Sequence, residues 1–154
     1  MTQNKFSCWY SWSQREEIVG IEAPGVYVLA SKAGLSTNTE FSWFKEIVYI
    51  GMTNASLKQR LRQFDNTIKG KLQHGGADRF LTGYKRNKKL FENLFVSVLL
   101  VPLGKIEFNS PEHLRLKGKV AKLEYDCLAE YAENHDKMLP EYNRKTSEKN
   151  SKSR

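Results

Sequence analysis

Three short apolar runs constrain this chain most. Gly25 to Ala30 (GVYVLA) alternates β-branched and aromatic residues directly after Pro24, and Glu46 to Gly51 (EIVYIG) does much the same. Leu94 to Val101 reads as a third strand, buried on both faces. Each run is long enough for one strand of a small sheet. The longest apolar stretch, Leu94 to Leu103, already contains Ser97 and Pro102, well short of the roughly 18 residues a membrane helix needs. Between the runs the period changes. Leu57, Leu61, Phe64 and Ile68 follow spacings of four, three and four, one stripe of a helix that Asn54 or Ser56 could cap. Residues 31–40 and 70–77 read as loops, and 78–92 as a second helical stretch. A polar loop containing Pro111 then leads into an amphipathic helix from Lys117 to about Asn134. The order β-β-α-α-β-α predicts a small α/β (α+β) domain around about three strands, the first two forming a hairpin.

Length and composition agree with one domain. At 154 residues there is room for a single core. Residues 1–23 read as an N-terminal arm across the sheet, 24–143 as the domain and 144–154 as a basic, disordered tail. Two cysteines, Cys8 and Cys127, exclude a disulfide framework and a thiolate zinc site. The start, MTQNKFSCWYSW, lacks a signal-peptide pattern, so the expectation is a cytoplasmic protein without a membrane partner. The net charge is +8, of which the tail, with five basic residues and one acid, carries +4. Lys58, Arg60, Arg62, Lys69 and Lys71 form one basic stretch. Arg79, Lys85, Arg86, Lys88 and Lys89 form another, interleaved with Phe80, Tyr84 and Phe91. Such mixtures suit a nucleic-acid face, and solvated helix faces look the same.

Four polar residues are placed where a plain core does not ask for them. At about 100° per residue, Val120, Leu123, Cys127 and Tyr131 gather in one stripe of the last helix, and Glu124 falls inside it. Glu130 lies on its border, while Asp126 and Glu133 point away. An inward carboxylate must be paired, neutralised or bound to a metal. Arg60 lies about 60° from the apolar direction of its helix, where it either reaches an anion or snorkels over the core. Tyr27 and Tyr49 sit on the first two strands, where a tyrosine commonly packs half-buried with a wet hydroxyl.

Taken in order, GVYVL, VYIGMTNASLKQRL, KLEYDCL and PEYN resemble the GIY-YIG nuclease family. The first motif is Gly25-Val26-Tyr27 and the second Tyr49-Ile50-Gly51. The helix arginine is Arg60, the acidic motif Leu123-Glu124 with Cys127-Leu128, and the terminal element Pro140 to Asn143. The resemblance spans about residues 25–143 and implies a three-stranded antiparallel sheet flanked by helices. It also implies phosphodiester hydrolysis, with Glu124 holding one Mg²⁺ (Mn²⁺ as a substitute) and Arg60 clamping the scissile phosphate. Tyr27 and Tyr49 would position or deprotonate the attacking water, and Asn143 would brace the site. Lys58, Arg62, Lys69, Lys71, Arg79, Lys85 and Arg86 would then contact nucleic acid.

Two features depart from the family pattern. Many members carry His or Tyr one turn after the arginine, where this chain has Phe64. His74, in the QHGGA loop, is a candidate replacement, or else a surface histidine. The gap from Glu124 to Asn143 is long; aligning Glu130 instead shortens it but loses the apolar pattern. The expected function is a metal-dependent DNA endonuclease of restriction, phage or mobile-element type, acting as monomer or homodimer, with RNA as the other substrate. The alternatives are a non-catalytic nucleic-acid-binding module on the same scaffold and a basic protein–protein adaptor, which leaves inward Glu124 without a reason.

Overall fold

The computed structural model describes residues 5–69 and 92–144. Its centre is a four-stranded antiparallel sheet in a mixed α+β arrangement. The strands are β1 (Tyr10–Ser11), β2 (Gly25–Ser31), β3 (Ile47–Thr53) and β4 (Leu94–Leu100), in the spatial order β1-β4-β2-β3. β2 pairs with β3 across the expected hairpin and with β4 on its other side, so Tyr27 stands opposite both Gly51 and Val98. The expected count of three strands is corrected to four. The arm supplies the fourth, a two-residue strand pairing Tyr10 with Val96 and Ser11 with Phe95, followed by a 3-10 turn over Trp12–Glu17.

Side chains alternate across a strand, and each face of the sheet carries its own core. On one face Tyr27, Leu29, Tyr49, Val96 and Val98 meet Leu57, Leu61, Phe64 and Ile68 of helix α1 (Leu57–Ile68), joined by Trp12, Ile18 and Ile21 from the arm. On the other, Val26, Val28, Ile50 and Leu99 meet Cys127 and Tyr131 of helix α2 (Pro111–Asn134). Ser56 caps α1 by accepting from the Gln59 N–H at 3.3 Å, which releases Asn54 from that role.

Helix α2 begins at Pro111, six residues before the expected start at Lys117. Pro111 is its first residue, and Ser110 caps it by accepting from the His113 N–H. A proline in the first turn gives up an N–H that has no helical partner anyway, so it opens this helix instead of lying in a loop. The chain ends its described course in a short 3-10 turn over Glu141–Asn143. His74, Lys71, Arg79, Lys85 and Arg86, the loop at 70–77, nearly all of the expected helix at 78–92 and the tail beyond 144 lie outside the described residues.

Candidate active site

The site is built around two tyrosines on the α1 face of the sheet. Tyr27 is 0% exposed, and its ring centroid lies 6.0 Å from that of Tyr49. Its phenol end lies over the neighbouring strand at Gly51. A methyl group there would stand 2.5 Å from Cζ and Oη of Tyr27, closer than side-chain carbons approach in folded proteins. The glycine closing the second motif is therefore the space into which the tyrosine of the first one fits. The buried Tyr27 hydroxyl has no well-formed hydrogen bond among the described residues. Burial first, then the neighbouring Tyr49, push its phenol well above the ordinary value, with Arg60 pulling the other way and Glu124 adding to the rise. Phe64, fully buried, fills the space beneath. Its ring is 5.9 Å from Tyr49, 6.5 Å from Tyr27 and 5.8 Å from Trp12.

Arg60 and Glu124 reach this region from opposite helices. Both are half-buried. Burial raises the Glu124 carboxyl, and the charge of Arg60 opposes that rise. Their neighbours are committed elsewhere. Arg15 and Lys69 pair with Asp65, Lys58 with Glu22, Arg62 with Glu16, and Lys122 with Asp126. Among the described residues neither Arg60 nor Glu124 has a side-chain hydrogen bond or ion pair. Among the described residues, therefore, no simple salt bridge balances this inward glutamate. Glu130 is exposed on α2, so the carboxylate near the tyrosines is Glu124. Its neighbour Cys127 is pushed up to about 12 by burial and then by Glu130, Asp126 and Glu124, which makes it an inert thiol.

Asn143 acts on the backbone. Its amide oxygen accepts from the Ile50 N–H at 2.8 Å, and its amide nitrogen donates to the Ile50 carbonyl at 2.7 Å. β3 is the edge strand, and alternate residues of an antiparallel pair turn their N–H and C=O outward. Asn143 supplies what a further strand would, at the residue between Tyr49 and Gly51.

Three of the expected nucleic-acid contacts, Lys58, Arg62 and Lys69, are described, each beside an acid at 3.8, 3.1 and 2.7 Å. The Lys58–Glu22 and Arg62–Glu16 pairs are exposed, and pairs of that kind are worth little and exchange readily, whereas Lys69 meets a buried carboxylate. One residue that sequence reasoning passed over is Asp65. It is buried, accepts from Trp12 Nε1 at 2.8 Å and lies beside Arg15 and Lys69. Burial raises its carboxyl, but the hydrogen bonds from Lys69 and Trp12 and the Arg15 charge outweigh that and hold it below its ordinary value. Its only sequence signal was an acid four residues ahead of a lysine on one helix.

The described residues contain no group of three or more His, Cys, Asp or Glu side chains placed to share a metal. A cation at Glu124 would thus have at most two such ligands among the described residues. That donor set fits Mg²⁺, which keeps most of its waters and takes one or two carboxylates plus substrate phosphate. It fits no closed structural zinc site. Compared with known proteins, the chain matches no family model, no curated protein and no solved structure.

Proposed function

We propose that this chain is a metal-dependent endonuclease of GIY-YIG type that hydrolyses phosphodiester bonds in DNA. The observation that carries the reading is that a half-buried carboxylate and an arginine, neither in an ion pair among the described residues, influence each other and a packed pair of tyrosines electrostatically. Core packing does not call for that combination, whereas a phosphate and a cation would satisfy every member of it. Arg60 would hold the scissile phosphate through its planar fork. Glu124 would hold a divalent ion, which when bound supplies positive charge against the phosphate oxygens. The raised phenol of Tyr27 keeps its proton near neutrality, so this residue orients a water by hydrogen bonding and does not take its proton. Tyr49 completes that contact, and Asn143 holds the second motif's strand in place at Ile50. Phe64 supports the alternative, a nucleic-acid-binding module without turnover, because its phenyl ring lacks the polar atom that a His or Tyr would bring there.

The test is cleavage of supercoiled and linear duplex DNA with Mg²⁺, Mn²⁺ or EDTA, beside Glu124→Gln and Arg60→Ala. The nuclease reading expects metal-dependent cutting that falls by about 10²-fold or more in each variant while DNA binding survives. Binding without cutting of DNA or RNA would select the module instead. Glu124→Gln carries a second readout. A carboxyl raised by folding contributes its stability below its unfolded pKa and loses it as pH rises, so ionised Glu124 weakens the fold at pH 7. Removing that charge should raise the melting temperature by about 1–3 °C at pH 7 and not at pH 4.

A further inference from the structure

We propose that a cleft beside this site binds a nucleobase taken out of its stack. The inference rests on the nuclease reading for the course of the strand. The cleft encloses about 430 Å³ between the turn after β3 and the first turns of α2, and its lining includes Asn54, Leu103, Ile106, Phe108, His113 and Lys117. A volume of that size suits a small planar ligand.

Phe108 is 81% exposed, a large aromatic surface that the core does not use. Two neighbours hold it: its centroid is 5.2 Å from the His113 ring, and Lys117 Nζ stands over the ring at 5.7 Å. Asn54 lines the cleft, and its amide oxygen is buried without a partner among the described residues, so a turn of this side chain toward a guest breaks no hydrogen bond of that oxygen. His113 accepts the Asn109 N–H on Nδ1 at 2.8 Å, so a neutral ring carries its proton on Nε2. The cleft therefore combines a flat aromatic plate, an unsatisfied amide, a ring donor and a cation.

An aliphatic guest would leave the amide and the ammonium unused. A nucleotide uses each of them: the base stacks on Phe108, an exocyclic amino group donates to Asn54 once its amide turns into the cleft, and the phosphate faces Lys117. Placement supports the same guest. Lys117 and Glu124 are seven residues apart on one helix, two turns and about 10 Å along its axis at ~1.5 Å per residue. A strand with a phosphate at Arg60 and Glu124 covers that distance in about three stacked steps. An enzyme that unstacks a base near its cut selects for mismatched, damaged or single-stranded DNA, where unstacking costs least.

The experiment follows the Phe and His ring signals of the full chain by NMR during titration with adenosine, with inorganic phosphate as control. Saturable shifts at Phe108 and His113 with adenosine alone, retained in Glu124→Gln, are expected. Phe108→Ala should abolish the His113 shift and weaken binding of a fluorescent single-stranded oligonucleotide by about tenfold, the loss of one stacked base. This exposed side chain can be removed without unfolding the chain. No saturable shift, a His113 shift unchanged in Phe108→Ala, or unaltered oligonucleotide affinity would overturn the proposal. Cleavage without adenosine binding removes the cleft alone. Adenosine binding without cleavage keeps the base site and removes the nuclease.

Discussion

Position 51 shows how little space the two motifs leave each other. An alanine there forces the Tyr27 ring out of its seat, because the ring end is the nearest obstacle and the strand behind it is paired on both sides. Overpacking of this kind costs about 1–3 kcal/mol, and it displaces the hydroxyl assigned to hold the water. Gly51→Ala should therefore lower the cleavage rate at least tenfold while DNA affinity stays within about twofold, measured on protein still folded at 25 °C. An unchanged rate would show that Tyr27 acts only as packing. At this scale the sequence was informative about direction: wheel geometry placed Glu124 on the inward face, and it lies half-buried there. It was silent about reach. Whether that carboxylate met a lysine or stayed uncommitted depends on side chains from other elements, and nothing within α2 encodes it.

At the scale of elements, the edge of β3 is finished by one side chain instead of a strand. Asn143→Ala leaves the Ile50 N–H and C=O to water and should cost about 1–2 kcal/mol. Asn143→Asp is the sharper case, because one carboxylate oxygen still accepts while the other faces the Ile50 carbonyl. That variant should be the less stable of the two at pH 7. It should recover as the pH falls below about 4 and a protonated carboxyl donates again, a crossover that melting curves at pH 3.5 and 7 would reveal. The strands, the hairpin and both described helices were legible because each repeats its period over several residues. The two-residue β1 has no period to read, and Pro111 was misleading because proline marks loops and helix starts alike. PEYN was visible as a motif, but its partner lies 93 residues earlier in the chain.

Across the whole molecule the arm is tied to the domain through Asp65. Asp65→Asn keeps an acceptor for Trp12 but removes the charge facing Arg15 and Lys69, a loss of about 1–3 kcal/mol at pH 7. Because folding lowers this carboxyl, its contribution is fully present above the unfolded value, about 3.9, and fades as pH falls through the folded one. The difference in unfolding free energy between the two proteins should be constant from pH 5 to 7 and shrink below pH 4. A difference that persists at pH 3 would show that shape, not charge, ties the arm.

The pairing of Tyr10 with Val96 has a consequence in time. A chain made from its N-terminus presents the arm first, yet the strand that receives it is 86 residues away. The β2–β3 hairpin and α1 can assemble long before then, and Asp65 offers the arm an earlier berth, at Trp12, that it keeps in the finished fold. Sheet closure waits for β4, and contacts of such separation are slow to form. Folding should thus proceed in two stages, an early hairpin–helix unit and a late closing of the far edge. The candidate site, which draws on residues 27 to 143, comes into being only with the second.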